Sequence, residues 1–178
     1  MQTCIALFRG INVGGKNLLP MKELVTILES LDCHNVKTYI QSGNAVFRCR
    51  KSAFAKLAGK IADAIHARFG FTPAIHLLHA QELKQTISQN PFPEAVSEPK
   101  TLHAGFLESR PAHPDLEAME KLKTQSERFA LKERVFYLHA PDGIGKSKLA
   151  TRAENLLGVS MTVRNWRTVE KLAEMIDL

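Results

Sequence analysis

The sequence predicts an α+β fold, a tandem of two ferredoxin-like lobes, each with an antiparallel sheet and the order βαββαβ plus an extra helix. Three observations support this prediction. Short apolar segments typical of strands alternate with longer segments whose apolar residues recur at helical spacing. The order strand, helix, strand, strand, helix, strand occurs twice, and this is the order of the split ferredoxin-like unit. A proline-rich stretch lies between the two occurrences. The alternative is a single mixed sheet built from all eight strands.

The first lobe is predicted to cover residues 1–90. Its strands are expected at 3–8, 36–40, 45–47 and 73–79, and its helices at 20–31, 52–69 and 80–89. Pro20 stands at the first helical position, where the missing amide hydrogen of proline costs nothing. The segment RGINVGGKNLL at 9–19 forms a glycine-rich loop, and QSGN at 41–44 is a hairpin signal.

The second lobe is predicted to cover residues 101–178, after a proline-rich linker at 91–100. Its strands are expected at 101–107, 127–132, 134–140 and 161–165, and its helices at 114–123, 147–158 and 166–176. The two middle strands form a hairpin that turns at 132–134. The two lobes repeat elements and share little residue identity, so the duplication is inferred from topology.

Composition bounds the class of protein. A chain of 178 residues is long enough for one full core or two small ones, and 24% charged residues with 10 Gly and 8 Pro exclude a disordered, collagen-like or coiled-coil chain. No apolar run approaches the roughly 20 residues of a membrane span. The start MQTCIALF has no basic region before its apolar run, so a signal peptide is not expected. We therefore expect a soluble cytoplasmic protein without membrane contact.

The cysteines and histidines predict no metal site and no cofactor. Cys4, Cys33 and Cys49 are an odd number without a CxxC spacing, as is common in a reducing compartment. Arginines flank Cys49 on both sides, which leaves a reactive thiol open beside the simpler alternative of a core residue.

Three stretches resemble a known family. They are ALFRGINVGGKNLLPMKEL with TYIQSGNAVF, then NPFPEA, then YLHAPDGIGKSKLA with RNWRTVEKLAEM. In this order, and over nearly the whole chain, they resemble the bacterial domain-of-unknown-function family 1697. The resemblance implies an uncharacterised bacterial protein. It points to no particular activity, because the family is named for having no assigned function.

The first candidate site lies where two strands of the first lobe end. The first and second strands run in the same direction, so the loops that follow them meet at one edge of the sheet. The residues expected there are Arg9, Gly10, Asn12, Gly14, Gly15, Lys16, Asn17, Gln41, Ser42 and Asn44. Free amides at a helix start and two cations suit a phosphate group. The alternative is a long turn built from glycine and asparagine.

The second candidate site is the counterpart in the second lobe. Its third and fourth strands also end at a common edge, which brings HAPDGIGKSK towards RNW. The residues expected there are His139, Asp142, Gly143, Gly145, Lys146, Ser147, Arg164, Asn165 and Trp166. Residues 140–147 fit the phosphate-loop spacing if Ala140 replaces the first glycine. The preceding strand belongs to a hairpin and no later strand ends in an acid for magnesium, which favours a plain anion site. Helical spacing favours Trp166 as a core residue.

Charge indicates the kind of partner. Residues 1–100 carry 12 basic and 7 acidic residues, whereas residues 101–178 carry 12 and 11. The strands lack the aromatic signature of RNA-recognition modules, so contact with nucleic acid is expected at the backbone only. The leading hypothesis is therefore a protein that binds a phosphate-containing small molecule or nucleic acid through its glycine-rich loops.

Two alternatives stay open, and the oligomeric state is not predicted. By analogy with acylphosphatases, Arg9 would bind phosphate and Asn44 would orient the attacking water in a phosphoryl hydrolase. The second alternative is a structural or adaptor protein whose loops bind a partner.

Overall fold

A computed structural model describes residues 1–177. The elements of the first part of the chain are β1 (Gln2–Arg9), α1 (Met21–Ser30), β2 (His34–Tyr39), β3 (Asn44–Cys49), α2 (Phe54–Phe69), β4 (Ala74–His79) and α3 (Ala80–Ser88). Its four strands form an antiparallel sheet with the order β2-β3-β1-β4.

The elements of the second part are β5 (Leu102–Leu107), α4 (Leu116–Leu122), β6 (Arg128–Lys132), β7 (Val135–His139), α5 (Lys148–Leu157), β8 (Met161–Asn165) and α6 (Trp166–Asp177). Its strands repeat the topology of the first part with the sheet order β6-β7-β5-β8. Both halves have the order of a ferredoxin-like unit followed by one helix, which confirms the predicted tandem fold.

The contacts of the chain divide it into two compact units. The first unit comprises residues 1–84 and the chain from Leu172 onward, and the second comprises Gln85–Lys171. The end of α3 belongs to the second unit because Tyr137 Oη donates to the Thr86 carbonyl at 2.8 Å. Lys132 Nζ likewise donates to the Gln89 carbonyl at 2.8 Å. The predicted ends of the two lobes, at residues 90 and 101, follow the positions of the prolines. Part of the predicted linker between them is a short 3-10 helix, Pro93–Ser97.

The core of the first unit lies between one face of its sheet and the helices α1 and α2. The helix residues buried there are Leu24, Ile27, Leu28, Leu57, Ile61 and Ile65. From the sheet, alternate residues of β1 and β3 face them, including Phe8 and Phe47, each 1% exposed. This packing leaves the other residues of the same strands on the opposite face of the sheet.

The three cysteines also lie in this core. Cys49 is 1% exposed, and its Sγ atom lies 2.9 Å from Cys4 Sγ, so the core alternative describes it. Burial raises the pKa of Cys4 above its usual range and raises the pKa of Cys33 to about 11. A thiol reacts as thiolate, so these groups are poor nucleophiles.

The core of the second unit lies between its sheet and the helices α4 and α5. Its buried residues include Leu107, Met119, Phe136, Leu149 and Leu157. Trp166, at the start of α6, is 1% exposed, as its helical spacing indicates. Within residues 1–177 no helix has the length and apolar character needed to cross a membrane.

His103, on β5, is a buried histidine with an unsatisfied nitrogen. The residue is 5% exposed, and its Nδ1 atom has no hydrogen-bond partner among the described residues. It borders a cavity of about 30 Å³ together with Phe136, Ile144 and Met161. Burial lowers the pKa of His103, and the Thr101 carbonyl opposes this to a smaller extent.

We expect His103 to make the stability of the protein depend on pH. Its folded pKa is lowered, so the unfolded chain binds the proton more readily. The contribution is fully present above the unfolded pKa of about 6.5 and is lost as the pH falls below it, by at most about 1.4 kcal/mol per pH unit. Urea unfolding between about pH 7.5 and 5.5 measures this for the wild type and His103→Leu. The variant should show the shallower dependence, and parallel curves would contradict this account.

Candidate functional site

The loop after β1 and the turn after β2 meet at one end of the first unit's sheet. Asn12 joins them: its Nδ2 atom donates to the Gln41 carbonyl at 2.8 Å and to the Leu19 carbonyl at 2.9 Å. Its Oδ1 atom accepts from the Leu19 amide at 2.8 Å. The Phe8 amide donates to the Gly43 carbonyl at 2.8 Å and connects the turn to β1. One asparagine side chain therefore fixes the relative position of both loops.

The glycine-rich loop contains a small hairpin, residues 12–17, which we call the finger. The Asn12 amide donates to the Asn17 carbonyl at 3.1 Å, and the Lys16 amide donates to the Val13 carbonyl at 3.0 Å. Gly14 and Gly15 form its tip with φ values of 57° and 72°. Two consecutive positive φ angles are what a two-residue type I′ hairpin requires, and Gly-Gly favours it. The hairpin differs from the long loop predicted from the sequence, although the Gly-Gly pair is a local signal for it.

The finger presents amides and a cation in open space. The amides of Gly14 and Gly15 donate no hydrogen bond within residues 1–177, and apart from the adjoining residues of the chain no atom lies within 4 Å of a Cβ placed on either. Lys16 is exposed, and its side chain has no partner among these residues. Together the two amides and the ammonium group can donate hydrogen bonds to an anionic oxygen.

Exposed apolar side chains lie on the finger, directly after it and in the neighbouring turn. Val13 is 65% exposed, Leu18 is 62% exposed, and Ile40, in the neighbouring turn, is 49% exposed. Ile40 has a φ of 50°, a conformation that is strained for a β-branched residue. Strained backbone is concentrated at functional sites, so this turn is a candidate contact surface.

The other predicted residues of this site divide into exposed and structural ones. Arg9, Gly10, Gln41 and Ser42 are exposed. Asn17 is exposed as well, but its Nδ2 atom donates to the Gly10 carbonyl at 2.9 Å and supports the base of the finger.

Asn44 is fully buried. Its Nδ2 atom donates to the Tyr39 carbonyl at 3.0 Å and to Ser42 Oγ at 3.3 Å. These bonds hold the β2–β3 turn. An acylphosphatase-like site needs this amide to face the attacking water, so the hydrolase alternative retains only Arg9 of its two residues.

The second predicted group surrounds the start of β5. His139, at the end of β7, pairs with Leu102, and Asn165, at the end of β8, pairs with His103. The end residues of β7 and β8 therefore flank β5, and one strand separates them. At a strand spacing of about 4.8 Å, their backbones lie about 10 Å apart.

Two polar side chains of this group cap helices. Ser147 caps α5, since its Oγ atom accepts from the Ala150 amide at 2.9 Å. Asn165 caps α6, since its Oδ1 atom accepts from the Thr168 amide at 3.0 Å and from its hydroxyl at 3.1 Å. Gly143 has a φ of 95°, as the turn into the 3-10 segment Ile144–Lys146 requires.

Two charged clusters complete this group. Asp142 Oδ2 accepts from Ser126 Oγ at 2.8 Å. The His139 ring contacts Arg128, with 3.1 Å between His139 Nδ1 and Arg128 Nη2, and Arg128 also forms an ion pair with Glu94. Burial, and then the nearby Arg128 charge, lower the pKa of His139.

Four further predicted residues of the group lie outside these clusters. Lys146 and Gly145 are exposed, and Trp166 is buried in the core. Arg164 is half-buried on β8, its Nη1 atom donates to the Val163 carbonyl at 3.0 Å, and burial lowers its pKa to about 10.

The phosphate-loop pattern at 140–147 has a structural explanation at its last position. The Ser147 hydroxyl, 2% exposed, serves as the N-cap, whereas a nucleotide triphosphatase needs it to hold magnesium. We expect Ser147→Ala to lower the free energy of unfolding by about 1 kcal/mol, because it removes the cap. Ser52→Ala, an exposed serine, is the control and should be neutral. Urea unfolding checks both, and an unchanged Ser147→Ala midpoint would contradict the cap.

The fold and the first site together define a tandem ferredoxin-like protein with a projecting glycine hairpin. A family model described as a protein of unknown function, DUF1697, matches residues 1–137, and the chain belongs to this family. This confirms the resemblance seen in the sequence. It makes the chain a member of an uncharacterised family.

The same fold occurs in a solved structure. A conserved bacterial protein from Streptococcus pneumoniae is 24% identical, with a TM-score of 0.66, and the match covers 98% of each chain. At this identity the likeness shows the fold alone. No curated protein matches the sequence.

Proposed function

We propose that this protein binds nucleic acid through its phosphate backbone, with the finger as the contacting element. The observation that carries this proposal is the geometry of the finger. Asn12 fixes its base, while Lys16 and the amides of Gly14 and Gly15 stand in open space. A projecting element suits a large ligand that lies across a surface, whereas a small molecule is usually enclosed in a concave pocket.

The charge of the surrounding chain supports a polyanionic ligand. Residues 1–84 carry 11 Lys and Arg against 5 Asp and Glu. Such an excess attracts nucleic acid, and counterion release makes the binding sensitive to salt.

The binding should not depend on base sequence. Phe8 of β1 and Phe47 of β3 are each 1% exposed and face the helices, so they offer no stacking surface. Lys16 and the finger amides match phosphate oxygens, which are the same in every nucleotide.

A protein partner is the second candidate, because of the exposed apolar residues around the finger. Val13, Leu18 and Ile40 together offer an apolar contact area that a phosphate backbone does not use. Binding of this kind would depend weakly on salt, since burial of apolar surface drives it.

We expect Lys16→Ala to weaken binding to nucleic acid. The test is fluorescence anisotropy with a labelled single strand of roughly 20 nucleotides, from about 50 to 200 mM salt. The wild type should bind more weakly as salt rises, and the variant should reduce the salt slope by about one, because one phosphate contact is lost. Binding should be similar for two strands of unrelated sequence.

The matched control is Lys60→Ala, which removes the same charge from the exposed side of α2. It should bind like the wild type. An equal loss in both variants would show a general charge effect and contradict a site at the finger. If inorganic phosphate or ATP binds to the finger and the strand does not, the ligand is a small phosphate compound. No binding of any phosphate ligand would overturn the proposal.

A further inference from the structure

A groove in the first unit lies at the other end of the sheet from the finger. It has a volume of about 380 Å³ and is formed by the starts of β1 and β2, the end of β3 and the last turn of α6. All of these segments belong to the first unit. The finger follows Arg9, whereas the groove includes Thr3, so about six residues of extended strand, about 20 Å, separate the two.

The strand register places the cations of the groove on one face of the sheet. Lys37 of β2 lies directly opposite Val46 of β3, and Thr3 of β1 lies opposite Arg48 of β3. Directly opposite residues share a face, and so do Val46 and Arg48, which are two positions apart on one strand. This face is the one that points away from α1 and α2.

The two cations have no counter-charge in the described part of the chain. Lys37 and Arg48 are exposed, and neither forms an ion pair or a side-chain hydrogen bond there. The nearby carboxylate of Asp32 is already paired with His34 at 3.2 Å and with Arg50 at 3.0 Å. The groove therefore carries two positive charges that a bound anion can neutralise.

The rest of the lining is largely apolar. Val46, Met175 and Ile176 line the groove, and Val46 and Met175 are almost fully buried, at 4% and 8% exposure. Known small-molecule sites have volumes of about 300 to 1,000 Å³ and combine an apolar wall with a few polar groups that fix the orientation. The volume and the lining of this groove fit that description.

From this arrangement we infer that the groove binds a small organic anion with an apolar body, held by Lys37 and Arg48 at its charged group. The charged group is a carboxylate or a phosphate ester, since both match a guanidinium and an ammonium. The apolar body lies against Val46, Met175 and Ile176. This site is separate from the finger and does not rest on the proposed function.

Isothermal titration calorimetry with four probes tests this inference. Laurate and 1-naphthyl phosphate carry both an apolar body and a negative charge, inorganic phosphate lacks the apolar body, and dodecyltrimethylammonium carries the opposite charge. We expect measurable binding of laurate or 1-naphthyl phosphate, and which of the two binds identifies the charged group. Inorganic phosphate and the ammonium compound should bind at least about tenfold more weakly.

Two variants locate the binding. In the double variant Lys37→Ala, Arg48→Ala the affinity for the bound probe should fall at least about tenfold, because both charge contacts are lost. The matched control is Lys51→Ala, which changes an exposed lysine three positions after Arg48 and outside the lining of the groove. This variant should bind like the wild type. Lys37 and Arg48 are both exposed, so the double variant should keep the fold, and circular dichroism checks this.

The outcomes separate this inference from the proposed function. Lys16→Ala should leave probe binding unchanged, since the finger lies at the other end of the strands. Binding of neither anionic probe, equal binding in the double variant, or equal binding of the ammonium compound would each overturn the groove site. None of these results would affect nucleic-acid binding at the finger.

Discussion

Gly43→Ala should lower the free energy of unfolding by about 3 kcal/mol. Gly43 has a φ of 86°, and a Cβ atom there would lie 2.5 Å from Ile11 Cδ1 and 2.7 Å from Phe8 Cβ. The left-handed conformation costs about 1 kcal/mol or more for alanine, and the overlap with buried side chains adds a further about 1 to 3 kcal/mol. Phe8 Cβ is fixed by its strand, so the turn itself has to move.

The control for this prediction is Gly70→Ala. Gly70 has a φ of 77°, but nothing lies within 4 Å of its added Cβ. The Gly70→Ala variant should therefore lose only about 1 kcal/mol of unfolding free energy, the cost of the left-handed conformation for alanine. Thermal unfolding of both variants measures the difference, which corresponds to a few degrees in Tm for a chain of this size. Equal losses would contradict the close approach of the turn to Phe8 and Ile11.

Asn12→Asp should separate the two loops of the first site. The change keeps the size of the side chain and its acceptor for the Leu19 amide. It replaces the Nδ2 donor, so that a carboxylate oxygen faces the carbonyls of Leu19 and Gln41. Two lost hydrogen bonds and this repulsion should cost about 2 to 3 kcal/mol of stability.

Asn17→Asp is the matched control because it makes the same chemical change at a similar φ, 51° against 53°. Asn17 donates one side-chain bond, to the exposed Gly10 carbonyl, so its loss should stay below about 1 kcal/mol. Both variants add one negative charge near the finger. A stronger loss of nucleic-acid binding in Asn12→Asp than in Asn17→Asp therefore reports the position of the loops. Equal losses of stability and binding would contradict the role of Asn12.

The order of elements is predictable from the sequence because the relevant signals are local. Apolar spacing marks α2 and α5, and alternation marks the strands, so the predicted segments match the observed ones within a few residues. The meeting of the two loops also follows from topology, because β1 and β2 run in the same direction. The bond from Asn12 to Gln41 is the contact expected from that topology.

The roles of individual polar residues are harder to predict. Ser147 and Asn165 stand at strand or turn ends, where a ligand contact and a helix cap use the same oxygen atom. The sequence is compatible with both roles. The hydrogen bonds from the Ala150 and Thr168 amides identify Ser147 and Asn165 as helix caps.

The groove is not predictable from local patterns. It depends on the approach of Met175 to β1 and β3, more than 100 residues away in the chain. No periodicity in the sequence carries information about such a contact. Lys37 and Arg48 appear in the sequence only as part of a general positive charge.

The most direct test of the finger as a phosphate-binding element is a heteronuclear NMR titration. The full chain, labelled with ¹⁵N, is titrated with a single strand of roughly 20 nucleotides at about 50 mM salt. We expect the largest amide shift changes at Gly14, Gly15 and Lys16, and unchanged signals at Gly143 and Gly145 in the second unit. Shift changes confined to Gly143 and Gly145, or no shift changes at any of these amides, would contradict the proposed function.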